Sequence, residues 1–135
     1  MSALFSSKWL ASMMLAAIPV SAWALDCNEP SGGIGLDAAR ASLACAERDV
    51  ARNDKALNEA YRRLNAAVGI QPEERDALRA AQRAWITFRD AECDLRALDA
   101  GGAPQWVPVN RAQCVSELTA ERTAQLQGYR DGHGD

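Results

Sequence analysis

Apolar residues recur at helical spacing along most of the chain, and no stretch alternates between apolar and polar residues as a β-strand does. The clearest example is a seven-residue ladder formed by Leu36, Leu43, Val50, Leu57 and Leu64. Residues 37–68 contain no glycine or proline, so this pattern predicts one long helix over that range. Asp37 is the predicted N-cap, because its short side chain can accept a hydrogen bond from a free backbone N–H.

Two further helices are predicted after the break at Gly69. The second opens at Pro72 with two acidic residues, which the helix dipole favours, and runs to about Leu98. Its expected buried stripe consists of Leu78, Ala81, Trp85, Phe88 and Leu95. The third helix is predicted from about Arg111 to Tyr129, with Val115, Leu118 and Leu126 on one side. The chain is therefore expected to form an all-α domain, a long antiparallel helical hairpin with a third helix packed along it.

Residues 1–24 have the features of an export signal. Lys8 precedes the apolar stretch 9–20, and Ala22-Trp23-Ala24 fits a signal peptidase site. The stretch is shorter than the roughly 20 residues of a membrane-spanning helix. A buried core helix and a lipid-bearing Cys27 are the alternatives, although an aspartate directly before that cysteine suits lipid attachment poorly.

Cleavage near Ala24 would give a periplasmic or secreted protein with no membrane insertion after cleavage. The helical domain is expected over residues 25–127. Residues 128–135, with three glycines and mixed charge, are expected to form a flexible C-terminal tail.

The chain has four cysteines, all of which follow the predicted cleavage point: Cys27, Cys45, Cys93 and Cys114. An even number in an exported small domain predicts two disulfides. A four-thiolate zinc site fits poorly, because such sites use close cysteine pairs. The chain reversal after the second helix brings Cys93 level with Cys114, and the N-terminal segment can fold back over Cys45. This geometry favours Cys27–Cys45 and Cys93–Cys114, with Cys45–Cys93 as the main alternative.

Charge and composition disfavour several classes of function. The chain has 15 Lys and Arg against 18 Asp and Glu, a net charge of −3, and no basic run typical of nucleic-acid binders. An acidic chain suits a cationic protein partner better. The single histidine, His133, has no nucleophile in a plausible motif near it, and the paired carboxylates lie on charged helical faces. We therefore expect no catalytic site, no metal and no cofactor.

Polar residues beside the apolar stripes form two sets, which an antiparallel hairpin turning near residue 70 places opposite each other. They are Asp54, Asn58 and Tyr61 on the first helix, and Gln82, Trp85 and Arg89 on the second. Because a guanidinium on an apolar face needs a polar partner, we expect Arg89 to pair with Asp54 or Asn58. The expected role of this network is to fix the register of the helices, and direct ligand binding is the alternative.

The same residues carry a family resemblance. Segment 54–61 resembles the signature D-x-x-L-N-x-x-Y, and segment 82–93 resembles Q-R-A-W-I-x-[FY]-R-D-A-x-C. Cys114 and segment 117–126 continue the match. Over residues 45–126 the chain is similar to the LprI-type lysozyme-inhibitor family of exported bacterial proteins. The resemblance implies a non-enzymatic inhibitor that binds lysozyme outside the cytoplasm and occludes its cleft. A cell-envelope interaction or structural module without lysozyme inhibition is the alternative function.

The predicted loop 101–110 is the best local candidate for a partner contact. Two prolines and a flanking disulfide would stiffen it, which lowers the entropy lost on binding. Tryptophan is a residue type that dominates interface energetics, so Gln105, Trp106 and Asn110 are the candidate contacts. The alternative is that Trp106 only covers the core.

Overall fold

The structure, a computed structural model, describes residue 27 and residues 35–67 and 69–133. Residue 133 is described for its backbone only. The elements are α1 (Leu36–Asn65), α2 (Pro72–Asp99), a one-turn 3-10 helix (Pro104–Trp106) and α3 (Val107–His133). The predicted all-α fold of three helices is therefore confirmed. The predicted signal peptide lies outside the described residues.

The start of α1 differs from the prediction. Gly35 occupies the N-cap position with φ 108°, a conformation that glycine adopts without steric cost. Asp37 is therefore not the N-cap but lies in the first turn, where Arg40 donates to its carboxylate at 3.4 Å. The other end also differs, since α1 ends at Asn65 rather than at residue 68.

The start of α2 is where the sequence places it, because several local signals coincide there. Pro72 occupies the first turn, where its missing N–H is not needed. The backbone N–H of Gln71 donates to Glu74 Oε2 at 2.8 Å, and the Gln71 side chain accepts from the N3 backbone in return. This reciprocal capping box satisfies two backbone groups that a helix start leaves free.

The region between α2 and α3 contains more helix than the sequence indicated. Pro104 opens the 3-10 helix and Pro108 is the second residue of α3, so α3 begins at Val107 instead of Arg111. Both prolines stand in first turns, where the ring imposes a helical φ and no hydrogen bond is lost. At its other end α3 continues past Tyr129 to His133, so residues 128–133 of the predicted tail are helical.

Helix α3 makes the closest backbone approaches to both other helices, while α1 and α2 approach each other at few described positions. The predicted third helix is therefore packed along the hairpin of α1 and α2, and it is the main neighbour of both helices. Several buried residues of α1 are alanines, which allow a close approach because interaxial distance depends on side-chain size: Ala38, Ala39, Ala46 and Ala60. The main apolar cluster consists of Leu57, Ala60, Leu64, Ile70, Leu78 and Leu126.

The leucine ladder of α1 is buried only toward its C-terminal end. Leu57 and Leu64 are buried, whereas Leu36 is 60% exposed. A strict seven-residue repeat drifts about 20° per heptad around a straight helix, so four heptads carry Leu36 roughly 80° off the buried face.

The predicted buried stripe of α2 is wrong for three of its five residues. Leu78 is buried and Trp85 is half-buried, but Ala81, Phe88 and Leu95 are exposed. The inward face of α2 is instead set by Cys93, which is fully buried in its disulfide. At about 100° per residue, Phe88 and Leu95 lie roughly 140° and 160° around the helix from Cys93.

Two disulfides staple the domain. Cys27 bonds to Cys45, and Cys93 bonds to Cys114, which is the pairing favoured by the sequence geometry. Cys93 and Cys114 form a second buried cluster with Val115. No helix among the described residues is long and apolar enough to cross a membrane.

Candidate interaction site

The side chain of Arg89 connects all three helices. Its Nη1 lies 3.3 Å from Asp54 Oδ1 on α1 and 3.2 Å from Thr119 Oγ1 on α3. Its Nε donates to Asp90 Oδ1, on the same helix, at 2.9 Å. Only 13% of the Arg89 side chain is exposed, so these charge-assisted bonds offset the cost of removing the guanidinium from water.

Trp85 lies beside two guanidinium groups. Its ring centroid is 5.2 Å from Arg89 Cζ and 6.0 Å from Arg122 Cζ, both within the range of cation–π attraction. Arg122, on α3, is buried and donates to Gln82 Oε1 and to Gln125 Oε1, each at 3.1 Å. The Trp85 indole therefore lies over two guanidinium groups, one on α2 and one on α3.

A second polar connection links α1 to α3. Asn53 Nδ2 donates to Ser116 Oγ at 2.9 Å and to the Ser116 carbonyl at 3.1 Å. Within α3, the hydroxyl of Thr123 donates to the Thr119 carbonyl at 2.8 Å. In the part of the chain that the structure describes, every buried side-chain nitrogen and oxygen has a hydrogen-bond partner. The arrangement is thus a closed structural network, with no buried donor left to face a ligand.

The structure brings together four of the six residues proposed for the network: Asp54, Gln82, Trp85 and Arg89. Tyr61 packs half-buried against the leucine cluster, and Asn58 is exposed. Arg89 therefore pairs with Asp54 rather than with Asn58.

Sequence reasoning missed the contribution of α3 to this network. Thr119 and Arg122 both lie in the segment that carries the family resemblance, which was the available signal. Asn53 and Ser116 gave no signal, because their contact depends on how deeply α3 packs against α1.

The candidate contact residues lie in helical structure rather than in a loop. Gln105 and Trp106 belong to the 3-10 helix, Asn110 is in the first turn of α3, and all three are half-buried. The 3-10 helix lies against α1 and α3, which leaves residues 100–103 as the connecting turn. The hypothesis that these three residues contact a partner stays a prediction.

Glu59 and Arg96, both on the surface, have shifted pKa values. Arg63 and, to a lesser extent, Arg62 lower the pKa of Glu59 by hydrogen bonding and charge attraction. Glu92 accepts a hydrogen bond from Arg96 at 2.8 Å and raises the pKa of that guanidinium, and the charges of Glu117 and Glu121 on α3 raise it further. Carboxylates on both α2 and α3 thus act on the charge of Arg96.

Comparison with known proteins decides the family. The family model described as "Lysozyme inhibitor LprI" matches residues 35–126, which span α1, α2 and most of α3. The chain belongs to the LprI lysozyme-inhibitor family. This is a family of inhibitors rather than enzymes, and together with the two disulfides it indicates an extracytoplasmic protein.

Two curated relatives match part of the chain. The chain is 36% identical over 94 residues to an uncharacterized protein of Rhizobium meliloti (strain 1021), a match that covers 62% of this chain and 67% of the relative. It is 34% identical over 89 residues to the uncharacterized protein YecT of Escherichia coli (strain K12), covering 60% and 55% respectively. The match therefore spans a little over half the length of YecT. No solved structure was found to match the chain.

Proposed function

We propose that this protein inhibits lysozyme outside the cytoplasm by binding the enzyme and occluding its cleft. The observation that carries the proposal is the family match over residues 35–126, which coincides with the disulfide-stapled helical unit. Arg89 and Trp85, two motif residues within that match, make contacts between the helices of the scaffold.

The physical properties of the domain support a mechanism of binding alone. Two disulfides and a three-helix polar network hold the surface rigid, so little conformational entropy is lost on association. The excess of acidic over basic residues, 18 Asp and Glu against 15 Lys and Arg, favours encounter with a cationic enzyme. Steering by charge also predicts that association slows as the salt concentration rises.

The proposal includes export. Cleavage near Ala24 would release the helical domain into the periplasm or the medium, where both disulfides can form. The intact mass of the exported product tests this point. A mass that corresponds to a chain beginning at Leu25, less four hydrogen atoms for two disulfides, is expected.

A cell-wall lysis assay tests the function. Purified, oxidised protein is titrated against lysozymes of several classes, and a dose-dependent slowing of lysis is expected with at least one class. Reduced and alkylated protein is the matched control, since it has the same sequence without the two disulfides. No slowing with any class, together with no binding, would contradict the proposal and favour an envelope-interaction module instead.

A further inference from the structure

Helix α2 presents an apolar stripe to solvent. Phe88, Leu95 and Leu98 are 56%, 63% and 70% exposed, and the exposed alanines Ala84 and Ala91 continue the same stripe. The spacing of these five residues alternates between four and three, which keeps them on one face of a helix. A contiguous exposed apolar surface of this kind is typical of a binding site.

The orientation of this stripe is fixed by the core. Cys93 and Ala97 are almost completely buried on the opposite side of α2, and the Cys93–Cys114 disulfide ties that side to α3. The α2 helix therefore cannot rotate its leucines inward without breaking this buried contact. The stripe is a preformed surface.

Carboxylates border the stripe on the side that faces α3. At about 100° per residue, Asp99 and Glu92 lie only 40–60° around α2 from Leu95. Glu117 and Glu121 are exposed on α3 and close enough to act on the charge of Arg96. Four carboxylates and Arg96 therefore lie along this border, while Arg111 on α3 pairs with Asp94 of α2.

We propose that this surface of α2 and α3 is where the protein binds its cationic protein partner, with Phe88, Leu95 and Leu98 at the centre and Glu92, Asp99, Glu117 and Glu121 at the rim. The assignment rests on the proposed function, which makes that partner lysozyme. An apolar centre with a charged rim is the usual anatomy of a protein interface. A second copy of this chain is a poor occupant, because it would bring the same carboxylates toward each other.

Binding measurements with matched variants test the assignment. Immobilised hen egg-white lysozyme and the lysozyme that responds best in the lysis assay serve as probes. The double variant Phe88→Ser/Leu95→Ser is expected to weaken binding and inhibition at least tenfold, a loss expected when central interface residues are truncated. Asp99→Lys is expected to weaken binding about tenfold, mainly through slower association. The C-terminal position of Asp99 in α2 makes a lysine there compatible with the helix dipole.

The control variants carry equivalent changes on α1. Leu36→Ser removes an apolar side chain that is 60% exposed, and Glu47→Lys reverses an exposed charge. Both are expected to bind within twofold of the wild type. Thermal unfolding of each variant establishes that the fold is intact before binding is compared.

The outcomes separate this assignment from the proposed function. If the wild type inhibits lysozyme and the α2 variants inhibit equally well, the surface assignment is overturned while the function stands. If the wild type neither binds nor inhibits any lysozyme, both are overturned. If sedimentation shows a wild-type dimer that Leu95→Ser converts to a monomer, the face belongs to a second copy and the assignment is again overturned.

Discussion

Asp54 and Arg89 are 35 residues apart in the sequence, yet Asp54 Oδ1 and Arg89 Nη1 lie 3.3 Å apart. The pair connects α1 to α2, two helices whose backbones approach each other at few described positions. The same guanidinium binds Thr119 on α3. One largely buried cation on α2 therefore contacts both α1 and α3.

Replacing this cation tests the network. Arg89→Leu is expected to lower the free energy of unfolding by about 1–3 kcal/mol, because Asp54 and Thr119 both lose their partner. For a domain of this size the midpoint of thermal unfolding should fall by several degrees. Circular dichroism at 222 nm measures it.

Arg83→Leu is the matched control for that variant, since Arg83 lies on the same helix and is exposed. Its effect is expected to stay within about 0.5 kcal/mol of the wild type. Equal midpoints for the two variants would show that Arg89 does not hold the helices in register.

Two leucines provide a test of the packing. Leu126 is completely buried, whereas Leu95 is 63% exposed on the outer face of α2. Leu126→Ala is expected to cost about 2–5 kcal/mol, since it leaves a cavity in the main cluster. Leu95→Ala is expected to change stability by less than about 0.5 kcal/mol. Urea unfolding of both variants checks this, and a large loss for Leu95→Ala would mean that the stripe is buried.

The loss of folding stability at acidic pH is expected to depend partly on Glu59. Arg63 and Arg62 lower the pKa of its carboxyl in the folded state. The contribution of these contacts is therefore present above the ordinary pKa of an unfolded glutamate and is lost as the pH falls through the lower folded value. A carboxyl-detected NMR titration should show this lowered pKa, and Arg63→Gln should move it back up. The effect on stability is small because the pair is exposed. A Glu59 titration that Arg63→Gln leaves unchanged would contradict this cause.

The variant Trp106→Ala distinguishes a structural role of this tryptophan from a role in contacting the partner. Trp106 is half-buried in the 3-10 helix against α1 and α3, so Trp106→Ala is expected to lower the thermal midpoint. At 25 °C, where the variant remains folded, lysozyme inhibition is expected to match the wild type if α2 provides the interface. Loss of inhibition with an unchanged unfolding curve would instead support the contact hypothesis for Gln105, Trp106 and Asn110.

Local sequence signals located some features well. Pro72 and the capping box at Gln71 are contiguous in the chain, so the start of α2 could be predicted to the residue. The pairing of Arg89 with the first helix followed from charge and helical periodicity alone. The start of α3 was predicted at about Arg111 instead of Val107, because a proline can end one helix or begin another.

The sequence by itself determined that this protein is helical, where the main breaks fall, and which family it belongs to, because periodicity, turn residues and motifs are properties of neighbouring positions. Only the tertiary structure decided which face of each helix is buried. Phe88 and Leu95 are more apolar than Arg89, yet Arg89 points inward and the other two face solvent. The reason is that α2 contributes one face to the core, and the Cys93–Cys114 disulfide and the contacts of Arg89 with α1 and α3 fix which face that is.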